Sequence, residues 1–583
     1  MLHTLTRSLR ENKGPALVTV LLSALEVVFE IVIPLFMSNL IDFGIEGGSM
    51  AAVWKFGAFL LLLAAFQLAT GVLAARIAAR ASVGFAANLR EDMYDNVQTF
   101  AFSNIDKFST ASIVTRLTTD TTNVQNAFQM LMRMAIRAPV MLVFSMVVSF
   151  RISRDISMTF LIILPILALA LFFIIRSVFP VFTRVFRTYD ELNNVVQENV
   201  RGIRVVKSFN QERHEIGKFG AISERIYKDF SKGERLITLN APLMQFCIYT
   251  CMIVISWLGA KAIIASGNDP ALGLTTGNLT ALITYTMQIL SSLMMLSMVF
   301  AMLTISLSSA RRIAEVLEER SDIPQPEQPV MTVRDGAVDF DHVSFVYASK
   351  ADKKVLDDID LHIRSGETVG VIGGTGASKS SLVQLIPRLY DVTGGKLTLG
   401  GVDVRDYDLD TLRGAVAMVL QKNELFSGTI AENLRWGNEN ATDEQLRHAC
   451  KLACADEFIS AMPDGYDTHI EQGGTNVSGG QKQRLCIARA LLKKPKVLIL
   501  DDSTSAVDTR TDAQIQQALS AYIPDTTKII IAQRISSVQN ADRIVVLDDG
   551  HIDAVGCHDE LLRTCEIYRE VYESQQKGGE DDA

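Results

Sequence analysis

Two dissimilar parts are predicted within one chain: an all-α transmembrane domain of six helices, then an α/β domain built around a phosphate-wrapping loop. Three observations predict this. Apolar residues are concentrated in the first 310 positions. Beyond Pro324, Pro326 and Pro329 the texture changes to short β-branched runs alternating with helical segments. A glycine-rich loop at 373–381 falls between one such run and an apolar helix.

The membrane part follows from length and hydropathy. At 583 residues the chain exceeds one core, and 48% hydrophobic content with positive mean hydropathy points to a membrane protein fused to a soluble domain. Uncharged runs at 56–75, 156–175, 236–260 and 270–310 are each long enough to cross a hydrocarbon core of about 30 Å as a helix. Two further spans are less clean: 14–42 contains Glu26 and Glu30, and 138–150 is short unless polar ends extend it. The expected count is six.

Basic residues set the orientation. Arginine and lysine enrich 76–137 and 176–235, whereas the loops near 43–52 and 266–276 have none. The long loops and both termini are therefore expected on the cytoplasmic face of the cell membrane, with Arg151 and Arg154 as exceptions. Residues 1–13 are amphipathic and basic, and the apolar stretch after them is too long for a signal peptide and lacks a small-residue cleavage site.

A net charge of −9 argues against nucleic acid as a partner, and the acidic end, 576–583, reads as a solvated, disordered tail. Of the seven cysteines, Cys247 and Cys251 fall in a membrane helix, and Cys450 with Cys454 lacks a second pair at metal-ligand spacing. Packed thiols are expected.

Residues 309–319 continue the sixth helix, and the three prolines then stop it. This gives a transmembrane domain at 1–320, a linker at 321–335 and an α/β domain at 336–575. In that domain Gly373, Gly374, Thr375, Gly376, Ala377, Ser378, Lys379, Ser380 and Ser381 follow the β-type run ending at Ile372 and precede a helix from Leu382. Such a loop turns backbone N–H groups toward phosphates, its lysine adds a point charge and its hydroxyl reaches Mg²⁺. Lys379 and Ser380 fill the last two roles. Position 378 breaks the usual GxxxxGK[ST] pattern, and serine there costs about 1 kcal/mol where the position needs positive φ.

Val477-Ser478-Gly479-Gly480-Gln481, with Lys482-Gln483-Arg484 after it, resembles the signature of the ABC transporter family, and the likeness extends along nearly the whole chain. It implies exporter-type architecture with ATP and Mg²⁺ as cofactors. By position, Tyr347 matches the aromatic that stacks on adenine, although spacing alone also fits a strand-core tyrosine. Gln421 matches the glutamine that contacts Mg²⁺ and water, and Asp501 the aspartate that holds Mg²⁺ through water.

Two departures bear on catalysis. The family's hydrolytic sites use glutamate at the position of Asp502 and histidine at that of Gln533. Aspartate is one methylene shorter, and misplacing a reacting group by about 1 Å can cost roughly 10²-fold in rate. Glutamine donates a hydrogen bond but carries no imidazolium charge. With Ser378 these changes imply slow hydrolysis at the chain's own site.

In the family two nucleotide domains sandwich ATP head to tail. The resemblance therefore implies that Ser478, Gly479, Gly480, Gln481 and Asp508 serve a partner's site. The preceding Glu471-Gln472-Gly473-Gly474-Thr475-Asn476 resembles the version in heterodimeric exporters. The implied partner is a second, non-identical half-transporter carrying the catalytic glutamate and histidine. A weakly active homodimeric lipid or drug pump and an ATP-binding regulatory subunit are the alternatives.

Segments 110–120 and 202–212 resemble the long intracellular and coupling helices of such exporters. Met287, Ser291, Met294, Met295, Met298 and Met302 recur near helical spacing, a stripe suited either to a hydrophobic small-molecule substrate or to helix packing. Glu26 and Glu30, one turn apart and costly in lipid, are expected to face a cavity or a partner.

Overall fold

The computed structural model describes residues 1–583 except 271–272, 348–353, 375, 503–506 and 581–583. The chain divides into two compact units: Met1–Gln98 with Thr110–Glu319, and Thr99–Ser109 with Arg320–Ala583.

Helices alone build the first unit, since in hydrocarbon each backbone polar group must be satisfied within its own segment. It contains α1 (Leu2–Arg7), α2 (Lys13–Asn39) and α3 (Met50–Gln98). After α4 (Phe102–Lys107), which belongs to the other unit, come α5 (Thr110–Thr115), α6 (Thr121–Ile152), α7 (Arg154–Arg201), α8 (Ile203–Ser208), α9 (Glu212–Thr238), α10 (Asn240–Ser266) and α11 (Thr276–Glu318). Among the described residues six helical stretches are long and apolar enough to cross a membrane, as expected, yet they run from 37 to 55 residues. About 20 suffice for a span, so the helices continue beyond it.

The short third run is explained by Arg137. The sequence places this residue at the edge of a cytoplasmic loop, whereas the structure sets it inside α6, paired with Glu26 and Glu30 of α2 at 2.8 and 2.7 Å. Neutralised in this way, it lets the span extend past residue 138. Close by, the buried Tyr285 of α11 donates to the Ile31 carbonyl at 2.6 Å, among Val27, Met141 and Ala281. At the other end of α11, Arg312 binds the buried Asp120 through Nε at 2.7 Å and through a second nitrogen.

The second unit is α/β. Its elements are β1 (Val338–Phe345), β2 (Leu356–Ile363), β3 (Thr368–Gly373), α12 (Lys379–Gln384), β4 (Gly394–Leu399), β5 (Val402–Asp403), α13 (Leu409–Ala415) and β6 (Val416–Val419). There follow β7 (Gly428–Thr429), α14 (Ile430–Arg435), α15 (Asp443–Leu452), α16 (Asp456–Ser460), β8 (His469–Ile470), α17 (Gly479–Leu492) and β9 (Val497–Asp501). Then come α18 (Thr509–Tyr522), β10 (Thr527–Ile531), β11 (Arg543–Asp548), β12 (His551–Gly556), α19 (His558–Thr564) and α20 (Glu566–Glu580).

One sheet runs β12-β11-β3-β10-β9-β6, with parallel pairing from β11 to β6, and a second, antiparallel sheet runs β2-β1-β4-β5. Every residue of β9 and β10 is buried, which explains the continuous apolar runs 497–500 and 529–531 within them. Because β3, β10 and β9 are parallel neighbours, the turns after Gly373, Ile531 and Asp501 emerge along one edge. Ligands of open α/β sheets bind at that edge.

Three boundaries differ from expectation. The segment that joins the nucleotide unit is Thr99–Ser109, ahead of 110–120, because Tyr390 donates to Asp106 at 2.7 Å and packs edge-on against Phe102. Residues of the expected linker are tied down: the Val330 N–H donates to Asp406 O at 2.9 Å, the Asp408 N–H donates to Val330 O at 3.2 Å, and Ile323 is buried. Helix α20 carries regular backbone through 576–580, assigned to a disordered tail by composition, with the buried Tyr568 anchoring its first turn.

Candidate functional site

The phosphate loop leaves the C-terminal end of β3. At Gly373 a Cβ would stand 2.2 Å from the Leu547 carbonyl of the adjacent β11, so only glycine permits that strand contact. A Cβ on Gly374 or Gly376 would meet nothing within 4 Å, and Gly376 has φ +89°. The loop is thus an open backbone cradle. Thr375 lies outside the described residues; Ala377 is buried.

Ser378 adopts φ 65°, ψ 21°, the left-handed conformation that glycine would adopt freely. The serine therefore carries the backbone penalty expected from the sequence. Lys379 folds across the cradle and donates to the carbonyls of Gly373 and Gly374, both at 2.8 Å. Burial lowers its pKa against the opposing pull of Asp501 and Asp502.

Ser380 Oγ donates to Asp501 Oδ1 at 3.0 Å. Asp501 ends β9 only 3% exposed, and burial raises its pKa despite that bond. Among the described residues no group of three or more His, Cys, Asp or Glu stands ready for a metal. A hydroxyl and one carboxylate nevertheless fit Mg²⁺, which keeps waters and shares phosphate oxygens.

Tyr347 lies just past β1, 44% exposed, with its hydroxyl 2.7 Å from Ser381 Oγ and its ring edge-on to Phe345 and Tyr390. It is therefore not a buried strand-core residue. Its ring borders the loop.

The departures from the family pattern meet in space. Asp502 Oδ2 accepts from Gln533 Nε2 at 2.7 Å and from Gln421 Nε2 at 3.3 Å. Asp502 has φ 47°, a region that aspartate tolerates better than most residues, and its N–H donates to Ile531 O at 2.9 Å. Gln533 is held in turn by α20: Gln575 Nε2 donates to the Gln533 carbonyl at 2.7 Å and Gln575 Oε1 accepts from the Ile535 N–H at 2.9 Å.

The signature residues form a separate surface. Ser478 caps α17 in a reciprocal box with Gln481: its Oγ accepts from the Gln481 N–H at 3.3 Å, and its own N–H donates to Gln481 Oε1 at 2.9 Å. Ser478 and Gly479 are exposed, and Gly480 is half-buried. Asp508 caps α18 by accepting from the Thr511 N–H at 2.9 Å, a bond that lowers its pKa. Ser505 and Ala506 lie outside the described residues. The segment before the signature is bound to α17, since Lys482 Nζ donates to Gly473 O at 2.5 Å.

Sequence reasoning missed Gln575 and the contact of Tyr390 with Asp106 and Phe102. Gln575 gives no local signal, being one polar position on an amphipathic helix. Tyr390 and Asp106 are 284 residues apart.

Comparison with known proteins agrees with this geometry. The family description "ABC transporter transmembrane region" matches residues 16–294, and "ABC transporter" matches 356–505. An uncharacterized ABC transporter ATP-binding protein of Bacillus subtilis (strain 168) is 35% identical over 558 residues, 96% of each chain. The chain belongs to the ABC transporter family. Another relative, an uncharacterized ABC transporter ATP-binding protein of Mycobacterium tuberculosis (strain ATCC 25618 / H37Rv), is 32% identical over 580 residues, covering 99% of this chain and 98% of the relative.

A solved bacterial Atm1-family ABC exporter with ATP bound matches with a TM-score of 0.82 at 24% identity, covering 97% of this chain and 99% of that one. Its likeness shows the fold, with six apolar helices ahead of the α/β domain. This ABC transporter chain is thus a multi-pass membrane protein with an ABC ATPase domain, and its activity is ATP-driven transport across a membrane.

Proposed function

We propose that this chain is one half of a heterodimeric exporter in which its own ATP site turns over slowly. Ser478, Gly479, Gly480, Gln481 and Asp508 complete the faster site of a non-identical subunit that carries the catalytic glutamate and histidine. The observation that carries this reading is the double engagement of Asp502 Oδ2 by Gln533 and Gln421. A carboxylate that already accepts two hydrogen bonds, on a side chain one methylene short of glutamate, is a weak and displaced base for the attacking water.

Family resemblance and the geometry of the described residues support the following roles. Tyr347, Gly373, Gly374, Thr375, Gly376, Ala377, Ser378, Lys379 and Ser381 hold ATP, while Ser380, Gln421 and Asp501 serve Mg²⁺. At the faster site water attacks the γ-phosphorus, the bond to the β-phosphate bridging oxygen breaks, and ADP leaves. Exposed signature residues with satisfied caps support a role toward another subunit. So do the apolar Val205 and Phe209 at the tip of the α7–α9 hairpin, 60% and 71% exposed. The chain sits in the cell membrane with both termini cytoplasmic and exports small drug-, peptide- or lipid-like molecules.

The test is phosphate release by the purified chain with and without a candidate second half-transporter. The expected result is little turnover alone and about one efficiently hydrolysing site per complex. Robust hydrolysis by the chain alone would instead indicate a self-sufficient homodimer.

A further inference from the structure

Glu26 is the middle residue of the 27-residue α2 and is buried, and Glu30 follows one turn later. Arg137 of α6 bridges them, with one terminal nitrogen 2.8 Å from Glu26 and the other 2.7 Å from Glu30. Gly71 of α3 makes room for the first carboxylate, since a Cβ there would lie 3.3 Å from Glu26 Oε1. On the other side, Gln288 of α11 donates to the Glu30 carbonyl at 3.2 Å and accepts from Ser145 at 3.1 Å. Four helices thus fix the triad.

Two features exceed what a structural ion pair requires. Two carboxylates face one guanidinium, so the triad's formal charge with all three groups ionised is negative at mid-helix, where a bilayer makes such a charge expensive. One pair would have joined α2 to α6. In addition, Glu30 and Arg137 form part of the wall of a cavity of about 180 Å³ that Met141, Met287, Ser291 and Met295 also line. A void of about 150 Å³ lined by apolar groups admits benzene, so this one accepts a ring-sized apolar group. Methionine walls adapt to varied shapes. Each terminal nitrogen of Arg137 already donates to a carboxylate, so the excess charge offered to a guest is negative.

We infer that this cavity is a cargo subsite for an organic cation bearing a ring-sized apolar group, with the positive centre beside Glu30 and the apolar part against Met141, Met287 and Met295. The guest supplies the missing positive charge. This deepens the export reading above by naming a class of cargo. Its test needs neither hydrolysis nor a second subunit, so either reading can fail alone.

The experiment is equilibrium binding of radiolabelled benzyltrimethylammonium to the full-length chain in lipid nanodiscs without nucleotide, with benzylsulfonate as the near-isosteric anion. The cation is expected to bind saturably and the anion not to compete. Glu30→Gln should weaken cation binding at least about tenfold, the factor that corresponds to loss of about 1.4 kcal/mol, while Glu30→Asp keeps most of it. ATP binding to the nucleotide domain checks that each variant is folded. Should Glu30→Gln lose ATP binding, Glu30→Asp decides: retained cation affinity supports the subsite and lost affinity overturns it. Equal competition by benzylsulfonate, or unchanged cation affinity in folded Glu30→Gln, also overturns it.

Discussion

Gln533 Nε2 donates to Asp502 Oδ2 across 2.7 Å, joining two of the positions at which this nucleotide site departs from its family's hydrolytic pattern. The residues lie 31 positions apart, just past the adjacent strands β9 and β10, whose register pairs Asp501 with Ile531. The two departures therefore form one arrangement, and reverting either leaves the other's geometry in place.

Reversion is expected to be cooperative. In the proposed heterodimer, with the partner's hydrolytic site silenced, Asp502→Glu alone should raise phosphate release only modestly, and Gln533→His alone hardly at all. The double variant should gain about 10-fold or more, beyond the product of the single effects. Steady-state phosphate release from the four proteins of the cycle checks this, and a purely multiplicative result would refute it.

Ser378 holds a left-handed backbone at φ 65°. Ser378→Gly should stabilise the nucleotide unit by about 1 kcal/mol and leave ATP affinity nearly unchanged, because the strained backbone is present without ATP. Ser378→Ala, which keeps the backbone penalty while removing the hydroxyl, should leave stability near that of the parent. Denaturant unfolding separates the two.

Gln575 clamps the backbone on both sides of Arg534. Gln575→Ala should leave ATP affinity unchanged and speed amide exchange at Ile535 about fivefold, the effect of losing one hydrogen bond of about 1 kcal/mol. Exchange mass spectrometry on the peptide containing Ile535 measures it. Unchanged protection would remove Gln575 from the site.

Burial depresses the Lys379 amine below the ordinary value of 10.5, so its charge is lost at a lower pH than that of a free lysine. ATP affinity should therefore begin to fall at a pH below 10.5, by about tenfold per unit once the amine is neutral. Lys379→Arg, charged throughout, should bind ATP with an affinity nearly independent of pH across that range. Equilibrium binding from pH 7 to about 10.5 decides, and parallel curves for the two proteins would count against the assignment.

How much of this was legible beforehand varies with the range of the interaction. Lys379 and Ser380 could be picked out because strand, loop and helix follow one another locally, whereas Tyr347 and Asp501 were named by family resemblance; the parallel strands β3, β10 and β9 bring the loop beside Asp501. Asp502 and Gln533 could be named as departures, but their mutual bond could not be seen. Glu26 and Glu30 were expected to face a cavity or a partner; their shared guanidinium was hidden because Arg137 lies 111 and 107 residues away. That residue also read as the edge of a cytoplasmic loop, which made the third span look too short.

The sequence by itself determined six membrane helices, an α/β domain after them and a phosphate loop with serine where glycine is usual. Apolar run length, strand texture and glycine spacing are local properties that act before any distant residue is in contact. Only the tertiary structure decided that Asp502 is engaged by Gln533, that Gln575 holds the loop behind it, that Thr99–Ser109 belongs with the nucleotide unit and that Arg137 is shared by two glutamates. Those outcomes depend on strand register and helix packing, which bring together side chains too far apart in sequence for any local pattern to record.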